Sequence, residues 1–286
     1  MAGAPSTTVI GNVGDDVEVL GLNVSPDLDS ILYALAGLAD EDRGWGRAGE
    51  TWRALETVRE LGGEEWFALG DLDLGLHLVR TQALRDGEAL SAVTARLAAE
   101  LGVETRILPA TDDRLRTWLD TPAGSFPFQE WFVARGHQDE VDAVRFEGAD
   151  EATAAPGLLG AVSEADLLLL APSNPFVSIG PILAVRELRE ALAARPVPCV
   201  AISPLIGGRA VKGPADRMLG RLAGGTSPRH VAQQYAGLID ALVVDEADAH
   251  DLDGLAGVQP IVTRTLMSDA DARRRLVEAA LGAVPA

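Results

Sequence analysis

Four aspartates crowd the first thirty residues: Asp15 and Asp16 directly after an apolar segment, and Asp27 and Asp29 within S-P-D-L-D. Gathered at one sheet edge without a cation they would repel one another. A Mg²⁺ ion removes that repulsion, because it commonly takes one or two carboxylates and completes its shell with phosphate oxygens and water. Acidic residues in a first helical turn are also favoured by the helix dipole alone, so Asp27 and Asp29 singly have an ordinary reading too. A second candidate lies in 171–183, A-P-S-N-P-F-V-S-I-G-P-I-L, where Ser173 and Asn174 stand between an apolar strand and a helix. That position offers free N–H groups to an anion, although the same residues also spell an Asx turn with Ser178 as N-cap. The third is 205–213, L-I-G-G-R-A-V-K-G, with Gly207 and Gly208 permitting close backbone approach and Arg209 and Lys212 adding positive charge. Two successive strands ending in Ser, the second opening into a basic glycine-rich loop, favour phosphate binding over a plain surface loop.

The elements that must position these groups follow from hydrophobic period. Residues 7–13, T-T-V-I-G-N-V, read as a strand feeding G-D-D. An amphipathic helix follows, with Leu28, Ile31, Leu32, Leu35 and Leu38 on one face, Ser25 as N-cap and Pro26 at its first position. Residues 39–49 form a loop, about 51–61 a helix, and 66–71, W-F-A-L-G-D, return to the interior. The next helix has Leu74, Leu78 and Val79 as its apolar side, and His77 among them is assigned no chemistry. Residues 88–101 repeat the helical pattern and 105–109 read as a strand. The run 166–170, D-L-L-L-L, reads as a central parallel strand covered on both faces, leading into a helix with Ile182, Val185, Leu188 and Leu192 on one side. Strands at 197–202, 241–244 and 259–263 then alternate with helices at about 228–238 and 269–281, the pattern of a parallel α/β sheet. Residues 111–147 break it with short aromatic and β-branched segments, a β-rich insertion. There Phe126, Phe128, Trp131 and Phe132 read as core or as an aromatic wall for a flat ligand.

A formal net charge of −19 argues against a broad nucleic-acid surface, so an anionic ligand must be met locally by helix ends, a few basic residues or a metal. The single cysteine, Cys199, lies in an apolar strand, which leaves neither a disulfide nor a zinc cluster and suits a reducing cytoplasm. No apolar run reaches the ~18 residues of a membrane span, and no signal-peptide pattern opens the chain.

The motifs N-V-G-D-D, S-P-D-L-D-S, L-G-D-L-D-L, F-Q-E-W, A-P-S-N-P-x-x-S-I-G-P-I-L and S-P-L-I-G-G-R-A-V-K-G-P-A-D, in this order, resemble the transferases that build the deazaflavin coenzyme F-420. This is the 2-phospho-L-lactate transferase family, called phosphoenolpyruvate transferase in actinobacteria. The resemblance runs from Thr7 to the end of the chain. It implies one Rossmann-like α/β domain over 1–286, with a parallel sheet between helices and 111–147 as its β-rich insertion. It also implies a Mg²⁺-dependent enzyme that moves a phosphoenolpyruvyl or phospholactyl group from a guanosine diphospho donor to the ribityl hydroxyl of the deazaflavin Fo, releasing GMP. A homodimer is the family habit. On this reading Asp16 holds the metal with Asp27 in support, and Asp29 hydrogen-bonds or deprotonates the acceptor hydroxyl. Ser173, Asn174, Gly207, Gly208 and Lys212 hold donor phosphates or ribose. The Ala68 backbone lies beside the deazaflavin ring, with Trp131 as a wall. The excess of Arg over a lone Lys, with abundant Ala and Gly, points to a GC-rich actinobacterial gene and hence to the phosphoenolpyruvyl donor.

Two departures from the family pattern stand out. Relatives usually place a strand and a G-G-x-G-G turn before the G-D-D strand, whereas only M-A-G-A-P-S precedes Thr7 here. The expectation is a start farther upstream or an impaired donor site, with an exposed sheet edge where that strand would pair. Leu72 stands where relatives often carry a basic residue. The competing reading is a non-catalytic nucleotide-sugar-binding regulator of related fold. Such proteins continue D-D as G-G-S-S-G, and the D-D-V-E-V-L-G found here favours the transferase.

Overall fold

The structure, a computed structural model, describes residues 7–255 and 257–282. Strand β1 (Thr8–Gly11) leads through the G-D-D turn to a short hairpin, β2 (Val17–Val19) and β3 (Leu22–Val24), and on to helix α1 (Pro26–Leu35). Helices α2 (Arg53–Glu60), α3 (Asp71–Arg85) and α4 (Leu90–Glu100) precede β4 (Arg106–Pro109), which pairs in parallel with β1. Strands β5 (Arg116–Thr121), β6 (Gly124–Pro127) and β7 (Ala143–Glu147) form an antiparallel sheet with β5 in the middle, inside the stretch that the aromatic pattern marked. Helix α5 (Leu158–Ser163), strand β8 (Leu168–Leu170), helices α6 (Ile179–Ala184) and α7 (Arg186–Ala194) and strand β9 (Cys199–Ile202) follow. A tight hairpin, β10 (Leu205–Ile206) and β11 (Arg209–Ala210), leads to α8 (Ala215–Met218) and α9 (Pro228–Gln234). Strands β12 (Ala241–Asp245) and β13 (Gln259–Thr263) and helix α10 (Ala270–Leu281) complete the order.

The main sheet is parallel in the order β13-β12-β9-β8. Its two central strands show why helices cover both faces. Along β9 and β12, Ala201, Leu242 and Val244 join the large core shared with α1, α4 and α7, while Val200, Ile202, Ala241 and Val243 pack under Leu276 and Ala280 of α10. Period-two alternation with both faces apolar demands a layer on each side. The Rossmann-like α/β fold is therefore the one found.

Three local expectations are corrected. First, β8 is an edge strand, with Leu169 44% exposed, because β9 is its only strand neighbour among the described residues. Second, the helix expected after it is two helices, broken where fully buried Val185 adopts an extended backbone. Third, α3 is turned over relative to its apolar pattern: Leu78 and Val79 are exposed, whereas His77, Arg80 and Thr81 are buried. The contact that fixes this rotation is with β3, where the Asn23 amide donates to Thr81 Oγ1 at 2.7 Å. Residues 1–6, on which the expectation about the start of the chain falls, lie outside the described residues.

Candidate active site

The G-D-D turn is where the layers converge. Thr117 of β5 donates its amide to the Gly14 carbonyl at 2.7 Å. A Cβ on Gly14 would lie 2.5 Å from Thr117 Oγ1 and 2.7 Å from Pro181 Cβ, so no larger residue fits between β5 and α6. Buried Asn12 ties the same region together. Its Oδ1 accepts from the Gly14 amide at 2.7 Å, and its Nδ2 donates to Asp27 Oδ2 at 2.8 Å and to the Val177 carbonyl at 3.3 Å. The turn after β1, the start of α1 and the turn after β8 are thereby held in one plane of contact.

Over this junction opens a cleft of about 1110 Å³. It lies at the carboxyl edge of the parallel strands, as open α/β sheets place their ligands. Asp15 enters it after β1, Ser173 and Asn174 after β8, Ser203 after β9 and Thr265 after β13. Asp27, Asp29, Ala68 and Lys212 line it as well, so one space unites most of the residues singled out from the sequence.

The two adjacent carboxylates of the turn diverge. Asp16 Oδ2 accepts from Ser25 Oγ at 2.9 Å, which also takes Ser25 away from its expected capping role. Burial pushes the Asp16 carboxyl up to about 7, opposed by the charges of Arg116 and Arg80. Asp15 lines the cleft, and its Oδ1 is buried with no hydrogen-bond partner. Burial and then the neighbouring Asp27 push its carboxyl well above the usual range. Asp15 is thus the carboxylate that lines the cleft on the Asp27 side, whereas Asp16, expected to hold the metal, gives one oxygen to Ser25 and keeps its other, Oδ1, buried and unpartnered like that of Asp15. Among the described residues no three metal-ligating side chains are gathered closely enough to hold an ion by themselves.

Asp29 is locked from behind. Arg80 Nη1 donates to Asp29 Oδ2 at 3.0 Å and Nη2 donates to Oδ1. His77 Nδ1 lies 3.7 Å from Asp29 Oδ2, and its Nε2 lies 3.4 Å from Asp73 Oδ1. The Tyr33 hydroxyl donates to the same Asp73 oxygen. Despite burial, contact with His77 and Tyr33 holds the Asp73 carboxyl below its ordinary value. The start of α3 is fastened in turn by Glu50, whose oxygens accept from the Leu72 and Asp73 amides, both at 2.8 Å.

On the other side the glycine-rich loop differs from its expected role. Gly207 and Gly208 have φ of +59° and +70°, which side chains rarely adopt, and their amides do form an anion nest. That nest already holds the carboxylate of Asp248, at 2.9 and 2.7 Å. Their N–H groups are therefore not free for a donor phosphate, and of the loop's two exposed cations, Arg209 and Lys212, it is Lys212 that lines the cleft. Trp131 is likewise corrected as a wall. It is 1% exposed, its indole N–H donates to the Asp139 carbonyl at 3.2 Å, and it packs with Leu119, Phe128 and Met218. From this lobe the aromatic side chains that line the cleft are Phe128 and Phe132, stacked at 5.2 Å between centroids, and Trp66 and Phe67 line it beside Ala68.

Comparison with known proteins bears on this geometry directly. The profile of 2-phospho-L-lactate transferase CofD matches residues 3–270, nearly the whole chain. The chain belongs to the 2-phospho-L-lactate transferase CofD family. The phosphoenolpyruvate transferase of Kitasatospora aureofaciens is 44% identical over 282 residues, covering 96% of this chain and 88% of its own. That of Thermobifida fusca (strain YX) is 43% identical, covering 96% and 86%. Among solved structures, a member of the UPF0052 family from Bacillus halodurans superposes with a TM-score of 0.62 at 17% identity, over 96% of this chain and 91% of that one, a likeness of fold. Membership in the CofD family carries the transferase role in coenzyme F-420 biosynthesis that the motifs implied. Sequence reasoning missed His77 and Arg80 of this CofD-family chain, although Asp73, His77 and Arg80 fall at four- and three-residue steps and so share one helical face.

Proposed function

We propose that this chain transfers a phosphoenolpyruvyl group from a guanosine diphospho donor to the terminal ribityl hydroxyl of Fo. The observation that carries the reading is the cleft itself, in which the unpartnered Asp15 Oδ1 beside Asp27, the clamped Asp29, the stacked Phe128–Phe132 pair and Lys212 share one space. In the transfer the hydroxyl oxygen bonds to the phosphorus that bears the enolpyruvyl group. The bond from that phosphorus to the GMP oxygen breaks with its electron pair staying on that oxygen, so GMP leaves as a phosphate monoester anion, and the hydroxyl proton passes to solvent.

Asp15 and Asp27 fit a Mg²⁺ ion. A buried carboxylate oxygen without a donor, next to a second carboxylate, is relieved by a divalent cation, and two carboxylates suffice when donor phosphates and water complete the shell. Bound there, the ion would neutralise charge on the donor phosphates. The remaining work belongs to side chains. Asp29 accepts a hydrogen bond from the acceptor hydroxyl, Lys212 meets donor phosphate, and Ser173 and Asn174 offer polar contacts at the strand end. Phe128 and Phe132 give the flat ring an apolar face beside the Ala68 backbone.

The phosphoenolpyruvate transferases at 43–44% identity support the phosphoenolpyruvyl donor over the phospholactyl one. Location in the cytoplasm and assembly as a homodimer belong to the same proposal. In their support, no helix among the described residues is long and apolar enough to cross a membrane, and Leu72, Leu78 and Val79 leave an apolar stripe exposed on α3. Incubation with Fo, Mg²⁺ and each donor tests the reaction: GMP release with a higher kcat/KM for the phosphoenolpyruvyl donor is expected. No GMP from either donor would overturn the reading, and a single-protomer mass by sedimentation would overturn the dimer.

A further inference from the structure

Helix α3 buries an arginine and a histidine while exposing leucine and valine, the reverse of what stability alone selects. Arg80 and His77 are each 1% exposed, yet Leu78 is 57% and Val79 45% exposed. A buried ion pair is commonly no more stabilising than well-packed apolar residues of similar volume, so burial of Arg80 is poorly explained by folding energy. Its orientation points the same way. Both Nη atoms go to Asp29, while its buried Nε has no partner, so the guanidinium is aimed by Asp29 and not by the need to satisfy its own donors. His77 stands directly behind, with Nδ1 3.3 Å from Arg80 Nη1, and is itself fixed between Asp29 and Asp73. Tyr33 of α1 anchors Asp73, so the chain of contacts closes back on the helix that carries Asp29.

We propose that Arg80, seated against His77, is the positioning residue that fixes the Asp29 carboxylate toward the acceptor hydroxyl. With each Asp29 oxygen held by one Nη of Arg80, the carboxylate cannot rotate, and its remaining lone pairs face the cleft. Asp29 then acts chiefly by orienting the hydroxyl for in-line attack, since a small misplacement of a reacting group is costly in rate. His77 keeps the guanidinium from swinging toward Asp16, whose carboxyl also feels the Arg80 charge. Neither Arg80 nor His77 transfers a proton in this arrangement.

The inference rests on Fo being the acceptor, and a double-mutant cycle separates its failure from failure of that reading. Fo affinity is measured by Fo fluorescence without donor, and kcat and KM with donor, for the wild type, Arg80→Lys, Asp29→Asn and the double variant. Arg80→Lys keeps the charge but loses the two-pronged clamp. Its expected effect in the wild-type background is roughly a tenfold loss of kcat and about a fivefold weaker Kd for Fo, with donor KM within about twofold. In the Asp29→Asn background the same substitution should change each by less than about twofold, because the residue it acts through is gone. Equal losses in both backgrounds, or none in either, would overturn the inference. Fo binding by a wild type that releases no GMP would overturn the proposed reaction while leaving the binding cycle to decide this point; no Fo binding at all overturns both. Should Arg80→Lys not fold, His77→Gln in the same two backgrounds carries the test, with a smaller loss that must again disappear beside Asp29→Asn.

Discussion

On the α3 side of the cleft the charged groups are buried and mutually fastened: Arg80 on Asp29, His77 between Asp29 and Asp73, and Tyr33 on Asp73. Around the β10–β11 turn the arrangement is the opposite. The buried charge there, Asp248, is fully occupied by Gly207 and Gly208, and the cation that reaches the cleft, Lys212, is exposed. Between them sit Asp15 and Asp16, each buried with its Oδ1 unpartnered, and of the two Asp15 lines the cleft. A group that is both desolvated and unsatisfied is costly to keep, and so marks where a ligand must complete the structure. A satisfied nest marks where the protein has completed itself. The difference separates residues that hold geometry from those that meet substrate.

The strongest test exchanges the two neighbouring carboxylates. Asp15→Asn should lower kcat roughly 10³-fold and raise the Mg²⁺ requirement, whereas Asp16→Asn should cost less than about tenfold. Mg²⁺ titration of both variants decides it, and a heavier loss in Asp16→Asn would reverse the roles drawn for the turn. Next in size is the aromatic lobe. Trp131→Ala should destabilise the protein by about 3–5 kcal/mol in urea unfolding, with Fo affinity of the folded fraction unchanged. Phe132→Ala should do the reverse, weakening Fo more than stability. Loss of Fo affinity specific to Trp131→Ala would return that ring to the cleft wall.

A smaller effect belongs to the exposed side. Lys212→Ala should raise donor KM roughly tenfold with kcat nearly unchanged, and added salt should narrow the gap from wild type because an exposed charge is screened. An unaltered donor KM would leave this loop without a part in binding. The last test concerns pH. Because burial raises the Asp16 carboxyl from 3.8 to about 7, the folded state holds this proton more tightly than the unfolded chain. The stability linked to it is complete below about pH 3.8 and is lost as pH climbs to about 7. In EDTA, Asp16→Asn should therefore gain Tm relative to wild type between about pH 5 and about pH 8; a constant difference would show that Asp16 does not titrate in that window.

Much of this site could be seen in the sequence because its residues sit at element boundaries that sequence marks well. Pro26 fixes the first turn of α1 and with it Asp27 and Asp29, and the apolar run before A-P-S-N-P fixes the strand end that carries Ser173 and Asn174. What stayed hidden depends on rotation. Asp15 and Asp16 are adjacent letters, and only the turn closed by the Asp16 amide on the Val13 carbonyl at 3.2 Å aims one at the cleft and the other at Ser25. Trp131 and Phe132 are separated in the same way by the wide π-helical turn at Glu130–Ala134. The face of α3 was misjudged because apolar periodicity presumes that leucines point inward, and here the Asn23–Thr81 bond and the Arg80–Asp29 clamp outweigh them. A leucine run likewise records apolarity but not neighbours, so β8 reads as central although it forms an edge.

The burial of Cys199 has a practical consequence. It is the chain's sole thiol, it lies in β9 among residues closed to water, and burial pushes its ionisation up to about 11, so at neutral pH it is scarcely nucleophilic. The protein is in effect thiol-silent. A cysteine introduced at Val79, within the apolar stripe exposed on α3, would be the one group to take a maleimide dye, and its protection at rising protein concentration would report the proposed homodimer contact directly.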